Sequence, residues 1–306
     1  MNKTYLGYTL TILSALAFAS MSLFIKMGYG VGMSPWSFAV IQSSFALVLL
    51  VVMWFRSPGP APGLGRPKLR DVLLFMLFGA TTGITFNLSL FHLSMSLATI
   101  LLFTYPAFTA LGAWLVLGQR PTLLHGGAIL LTLVGAVLTA NLPEIQSGTI
   151  SLLGVGLALL SAVAQGLYMV VGEKVAGKLT AISATTLTRI AILSGTILLK
   201  PSVFGELPSV PQSGWLICLV AAIVAGVPPF FFLNRGVALI GANRAAIASV
   251  AELPFALGLG LIFQGDLISL TQWVGAALII AAVVISQHES EEEATHGSGT
   301  GAAGSL

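Results

Sequence analysis

Long apolar runs alternate with short polar or Pro/Gly-rich breaks along almost the whole chain. Each run is about as long as an α-helix that crosses a bilayer, which needs roughly 20 apolar residues. Ten such runs can be separated, and they cover residues 4–27, 36–55, 71–92, 96–117, 123–141, 149–172, 181–199, 213–233, 245–264 and 270–287. The pattern therefore predicts an all-α polytopic membrane protein with ten transmembrane helices.

Composition supports a membrane protein. Of the 306 residues, 56% are hydrophobic and only 8% are charged, whereas soluble domains carry about 25% charged residues. The net charge of +3 does not indicate nucleic-acid binding, because the basic residues lie in the breaks between runs. Cys218 is the single cysteine, which excludes an intramolecular disulfide and a cysteine-based zinc site.

The basic residues are distributed unevenly between the two sides. With a cytoplasmic N-terminus, the outer breaks contain only Lys26 and Lys200. The inner ones contain Lys3, Arg56, Arg66, Lys68, Arg70, Arg120, Lys174, Lys178, Arg235 and Arg244. The positive-inside rule then predicts that both termini are cytoplasmic.

Two stretches outside the ten runs are predicted to lack a fixed structure. The basic Pro/Gly-rich segment 56–70 is typical of a flexible linker near lipid headgroups, and the acidic, Gly/Ser-rich tail 289–306 is typical of a disordered one. "AFAS" (17–20) also fits a signal-peptide cleavage site, but the repeat described next argues against that interpretation.

The chain contains an internal repeat. "LGYTLTILSA" (6–15) and "LGVGLALLSA" (153–162) share six of ten residues at an offset of 147, and Asn87 and Asn234 have the same offset. We therefore divide the chain into two five-helix units, residues 1–147 and 148–288. Because five is odd, the units enter the membrane in opposite orientations, as in many secondary transporters.

The sequence also resembles a known family. Residues 90–138, "LFHLSMSLATILLFTYPAFTALGAWLVLGQRPTLLHGGAILLTLVGAVL", resemble the EamA unit of the drug/metabolite transporter (DMT) superfamily, and so do residues 238–285. The length and the "FTYPAF" context are most similar to aromatic amino acid exporters of the YddG type. The chain departs from the usual pattern at Gly118-Gln119 and Gly265-Asp266, and at Gln42, where an arginine is frequent.

The resemblance implies a specific function. It implies a secondary transporter of the bacterial inner membrane that exports amino acids, aromatic or bulky and neutral, by alternating access. The expected partners are the solute and the lipid bilayer, with no nucleic acid, cofactor or metal. We expect a monomer, with a dimer as the alternative. A proton-coupled exporter of lipophilic cations or other small metabolites is the competing function.

Two charged residues lie inside apolar runs. Glu252 is about eight residues, or ~12 Å, into the ninth run, and Arg189 lies at a similar depth in the seventh. A charge at that depth costs about 2.5–3.5 kcal/mol on insertion scales. We expect Glu252 to bind a solute ammonium or a proton and Arg189 to face a carboxylate. The alternative is a structural ion pair between the two helices.

Helix breakers mark candidate hinges near the middle of several runs. Pro106 and Pro254 interrupt the fourth and ninth runs at corresponding positions, and "GVPPFFF" (226–232) matches "GATTGITF" (79–86) in the other repeat. Broken helices at corresponding positions indicate a substrate site. The candidate hinge residues are Pro106, Pro254, Pro228, Pro229, Gly79 and Gly83, and close helix packing is the alternative for the two glycines.

Aromatic and polar residues near these breaks complete the predicted transport path. Tyr105 and Tyr168 are favoured, because a hydroxyl in mid-membrane needs a partner. The others are Phe86, Phe103, Gln42, Gln165, Asn87, Asn234 and His92, for which packing or hydrogen bonds between helices is the alternative. No H-E-x-x-H, G-x-S-x-G or Walker A motif is present, so we do not predict an enzyme.

Overall fold

The fold is helical throughout the part of the chain that the structure describes. A computed structural model describes residues 3–56, 65–89, 92–93, 95–119, 122–139, 151–264 and 269–299. Seven helices in these ranges are long and apolar enough to cross a membrane, and two shorter apolar ones cover Leu123–Leu138 and Leu270–Ile285. The prediction of a multi-span helical membrane protein is confirmed, while the count of ten spans stays a prediction.

The described residues form thirteen α-helices. In chain order they are α1 (Lys3–Gly30), α2 (Pro35–Arg56), α3 (Leu69–Ser89), α4 (Met95–Leu102), α5 (Tyr105–Leu117), α6 (Leu123–Thr139), α7 (Leu152–Val175), α8 (Ala181–Leu199), α9 (Val203–Glu206), α10 (Gln212–Ala221), α11 (Pro228–Ser249), α12 (Glu252–Gln264) and α13 (Leu270–Gly299).

Two predicted spans are divided into two helices each. The fourth run breaks at residues 103–104 into α4 and α5, and the ninth breaks at 250–251 before α12. Pro106 and Pro254 follow these breaks in the first turns of α5 and α12. A proline is tolerated there because the first N–H groups of a helix have no intrahelical partner. The prolines therefore mark the interruptions, as the sequence predicts.

The break predicted between the eighth and ninth runs is present, but it lies later than the start of the polar stretch. The residues after 233 are helical up to Ile240, and the interruption falls at Gly241 (φ 80°, ψ 168°), after which the helix restarts at Ala242. Asn234 and Gly236 face other helices instead of water, since the Asn234 amide is hydrogen-bonded to α7 and α8 and Gly236 packs on Thr11. Their polar or small side chains therefore belong to the interior of the bundle.

The interruption predicted for the third run is also wrong. α3 is continuous from Leu69 to Ser89, whereas the matching part of the second repeat contains a π-turn, Ala222–Gly226, before Pro228. Gly79 and Gly83 instead allow close packing. A Cβ on Gly79 would lie 3.0 Å from Thr188 Cγ2, and one on Gly83 would lie 3.4 Å from Ile192 Cδ1. The packing alternative holds for both glycines.

The helix contacts repeat when the two halves of the chain are exchanged. α1 packs on α11, and the matching helices α7 and α3 pack on each other. α2 packs on α8 and α6 packs on α13, so each of these pairs joins a helix with its counterpart in the other repeat. The two repeats therefore make similar helix contacts, and α2 and α8 meet directly.

The C-terminal segment differs from the prediction. The tail was expected to be disordered from residue 289, but α13 continues to Gly299. Glutamate and alanine are good helix formers, and extending an existing helix avoids the cost of nucleation. Most of the linker 56–70 and the last residues, 300–306, lie outside the described residues.

Two glycines of α7 give a test of this packing. A Cβ on Gly166 would lie 2.8 Å from the backbone nitrogen of Thr109, whereas a Cβ on Gly156 would meet nothing within 4 Å. We expect Gly166→Ala to lower the free energy of unfolding by about 1–3 kcal/mol, because the α5 backbone must move.

The matched control is Gly156→Ala. It should be neutral or stabilising by up to about 1 kcal/mol, because alanine is the better helix former. The measurement is the apparent melting temperature in detergent. Equal melting temperatures for the two variants would contradict the close approach of α5 and α7.

Candidate functional site

Arg189 is the centre of a buried polar cluster. It lies midway along α8 and is only 2% exposed. One terminal nitrogen of its guanidinium, Nη1, donates to Gln42 Oε1 (3.2 Å), and the other, Nη2, donates to the carbonyl oxygen of Gly226 in the π-turn. The guanidinium also lies over the Phe230 ring, 4.5 Å from its centroid. Its Nε is buried and has no hydrogen-bond partner among the described residues.

Gln42 and Arg189 are counterparts in the two repeats. They are 147 residues apart, which is the repeat offset, and they hydrogen-bond directly to each other. This contact joins equivalent positions of the two repeats directly. The cluster therefore lies where the two halves meet, and the halves contribute different groups: a neutral amide from one and a permanent cation from the other.

A second set of polar groups lies beside Arg189. The Tyr168 hydroxyl donates to Asn234 Oδ1 (3.0 Å) and is 3.2 Å from Thr188 Oγ1, and Asn234 Nδ2 donates to Thr185 Oγ1 (3.3 Å). The Tyr168 ring stacks on Phe75 with centroids 4.5 Å apart. Tyr168 and Asn234 are thus held by neighbouring helices, which is the alternative given for them above, and they form one wall of the cluster.

Glu252 belongs to a different part of the interior. It begins α12 at the break after α11. Tyr105 donates to the Ala246 carbonyl oxygen (3.0 Å), and Ser249 lies in the same last turn of α11. Among the described residues, Glu252 has no hydrogen bond, and no ion pair joins it to Arg189. The structural ion pair, which was the alternative for these two residues, is therefore absent among the described residues.

The remaining candidates are divided between the core and the periphery. Phe103 is buried with its ring 5.9 Å from that of Tyr105, and Gln165 is partly buried one turn before Tyr168 on α7. Asn87 lines a small crevice between α2, α3 and α8, together with Trp36 and Thr196. His92 is exposed in the α3–α4 connection, and Phe86 is partly exposed on α3. His92 thus lies outside the central clusters.

Several residues of the site were not predicted. Thr185 and Thr188 complete the polar wall, and Gly226 supplies the carbonyl group that binds Arg189. Thr185 lies four residues before Arg189 on α8, and Thr188 lies three residues after Thr185. Helical periodicity therefore indicates Thr185 from Arg189, and Thr188 from Thr185. The Gly226 contact depends on the π-turn, which the sequence did not reveal.

The arrangement suits the binding of a polar solute and shows no metal site. Within the described ranges, no three His, Cys, Asp or Glu side chains are grouped as metal ligands. The interior presents a cation, a carboxylate, hydroxyls and amides, together with aromatic surface from Phe103 and Phe230. These groups match a small molecule that has both charges and an apolar part.

Known proteins are similar to this chain over most of its length. An inner membrane transporter, YicL, from Salmonella typhimurium is 28% identical over 269 residues, which are 86% of this chain and 88% of YicL. The transporter sll1319 from Synechocystis is 29% identical over 217 residues, and the match spans only 63% of its length.

A solved crystal structure gives the same fold. It aligns with 93% of this chain and 96% of its own chain at a TM-score of 0.68 and 18% identity. The model of the EamA-like transporter family matches this chain twice, at residues 5–141 and 152–286. The two matches coincide with the repeated halves, and the chain therefore belongs to the EamA-like transporter family and is a membrane transporter.

Proposed function

We propose that the protein is a secondary transporter that exports amino acids with aromatic or bulky neutral side chains across the bacterial inner membrane. The observation that carries this proposal is the presence of two interior charges of opposite sign that do not pair with each other. An amino acid has a carboxylate for Arg189, an ammonium for Glu252 and an apolar side chain for the aromatic rings. Because its two charged groups share one carbon atom, the proposal requires the two clusters to approach each other when the solute binds.

The state of Arg189 supports a role in binding. A buried N–H without a partner costs about 1–3 kcal/mol, and more when the group is charged. Arg189 keeps such a group at Nε although Gln42 and Gly226 satisfy other donors. A carboxylate accepts more than one of these donors at once, which is the geometry that guanidinium groups favour.

Alternating access follows from the repeated architecture that we propose. Ten spans in two inverted five-helix repeats place the clusters at the interface of two halves of opposite orientation. Exchange of conformations between the halves then opens the interior to one side or the other. The breaks at residues 103–104 and 250–251 leave short helices that can tilt at these positions, and cytoplasmic termini follow from the positive-inside rule.

A proton-coupled exporter of lipophilic cations is the second candidate. It is favoured by Glu252, an intramembrane carboxylate that begins α12 just after the part of α11 to which Tyr105 is bound, since a cation is attracted both to a carboxylate and to aromatic rings. Arg189 disfavours it, because a permanent cation without a carboxylate partner repels a cationic solute. The amino-acid proposal uses both charges and is preferred for that reason.

Transport by purified protein in liposomes is the direct test. We expect saturable counterflow of radiolabelled aromatic amino acids, with competition by bulky neutral ones and none by small acidic ones. Empty liposomes are the control. Flux of a lipophilic cation without flux of any amino acid would contradict the proposal and support the second candidate.

Substitution of Arg189 should affect the solute carboxylate specifically. We expect Arg189→Gln to raise KM for an amino acid about 10- to 100-fold, since a hydrogen bond to a charged group contributes about 1.5–3 kcal/mol. Arg189→Lys keeps the charge and should lose less. The measurement is inhibition of counterflow by the amino acid and by its amide, and only the amino acid should become the weaker inhibitor.

Substitution of Glu252 tests the other end of the solute. Glu252→Gln removes the charge with little change in size, so we expect weaker inhibition by amines and amino acids and loss of any accumulation driven by a pH gradient. Glu206→Gln, at a carboxylate that hydrogen-bonds to Ser34 near the ends of α1 and α9, is the control. A folded Glu252→Gln protein with native transport and native pH dependence would refute this role.

A further inference from the structure

A hydrogen-bonded cluster joins the two repeats at one end of the bundle. Glu173, in the last turn of α7, accepts from Gln119 Nε2 through Oε1 (2.6 Å) and from the backbone N–H of Ala242 through Oε2 (2.5 Å). Gln119 Oε1 in turn accepts from Asn243 Nδ2 (3.2 Å). Gln119 lies in the first family match, and the other three residues lie in the second.

The backbone at Gly241 is shaped for this contact. Its φ of 80° interrupts α11, so the helix restarts at Ala242 and directs that N–H to Glu173. A Cβ on Gly241 would lie 3.2 Å from Glu173 Oε2. A carboxylate at a helix N-terminus is favoured by the partial positive charge there. The carboxylate therefore fixes the start of the segment that leads to Ser249 and the break before Glu252.

The cluster lies at the end of the bundle opposite to the crevice. The crevice is lined by Trp36, Asn87 and Thr196, and Thr196 is near the C-terminal end of α8. Glu173 precedes the turn that leads into the N-terminal end of the same helix. Lys174 and Lys178 also lie at the Glu173 end, which is the cytoplasmic end under the proposed topology.

We propose that Glu173 and Gln119 form a latch that holds this end of the transporter closed, and that the latch breaks when the interior opens to that side. The two Gln119 bonds connect the end of α5 to α7 and α11 across the repeat boundary, and alternating access, on which this inference rests, requires the halves to separate there. Gln119 is exposed, so water can replace the broken bonds, which keeps the opening reversible. The proposal holds for a transporter of any solute.

A charge exchange tests the latch. Gln119→Glu replaces the hydrogen bond between Gln119 and Glu173 with two carboxylates that repel each other. We expect this repulsion to open the latch. The double variant Glu173→Gln with Gln119→Glu restores a donor and an acceptor between the two positions and keeps the native net charge. In this double variant, the amide oxygen of the glutamine at position 173 can still accept the hydrogen bond from the Ala242 N–H.

The readout is accessibility from each end. Cys218 is the single cysteine, so Cys218→Ala gives a background in which Ser249→Cys reports on the space behind the latch and Ser37→Cys reports on the other end. Both serines are buried, 7% and 1% exposed. A membrane-impermeant maleimide is added from the side of the lysines for Ser249→Cys and from the other side for Ser37→Cys.

If the latch exists, the rate of maleimide labelling should change at one end of the transporter only. We expect Gln119→Glu to increase labelling of Ser249→Cys about tenfold, which is ~1.4 kcal/mol, with no increase for Ser37→Cys, and the double variant to return to the native rate. Unchanged labelling of Ser249→Cys, or failure of the double variant to restore the native rate, would refute the latch. An increase at both ends with a lower melting temperature would show a purely structural contact and also refute it.

Discussion

Backbone hydrogen bonding inside a bilayer is the constraint on which the structure depends. An N–H or C=O group that faces hydrocarbon without a partner costs several kcal/mol, so the chain crosses the membrane as helices and departs from them only where protein groups or water can compensate. The departures in this protein follow that rule. The Gly226 carbonyl at the π-turn is bound by Arg189, and the Ala246 carbonyl before the α11–α12 break is bound by Tyr105.

The same constraint links the breaks to the function of a transporter. Each irregular segment brings polar side chains into the interior, and these side chains also suit a solute. Arg189 both satisfies the Gly226 carbonyl and keeps a donor unused, and Gln42 connects it to the other repeat. Under the proposed mechanism, separation of the two halves would change the bonds that hold the guanidinium. Solute binding and conformational change would then use the same few contacts.

The two repeats have similar helix contacts but different chemistry. Exchange of the halves maps α1–α11 onto α7–α3, yet α3 is a continuous helix and its counterpart contains a π-turn followed by two prolines. The difference coincides with the replacement of Gln42 by Arg189 at the equivalent position. A guanidinium can bind an extra backbone carbonyl that a glutamine already engaged with Arg189 and Met21 does not bind. The chemical difference between the two sides of the site thus coincides with one pair of equivalent residues, Gln42 and Arg189.

The sequence alone determined the helical membrane fold, the repeat, the breaks marked by Pro106 and Pro254, and the two interior charges. These features depend on hydropathy, periodicity and local backbone chemistry, which act over a few neighbouring residues. The tertiary structure decided that Arg189 binds Gln42 and Gly226 instead of Glu252, that the segment around Asn234 is helical, and that Glu173 connects the repeats. Each of these contacts joins residues far apart in the chain, and their geometry is set by helix packing, which a local sequence pattern does not encode.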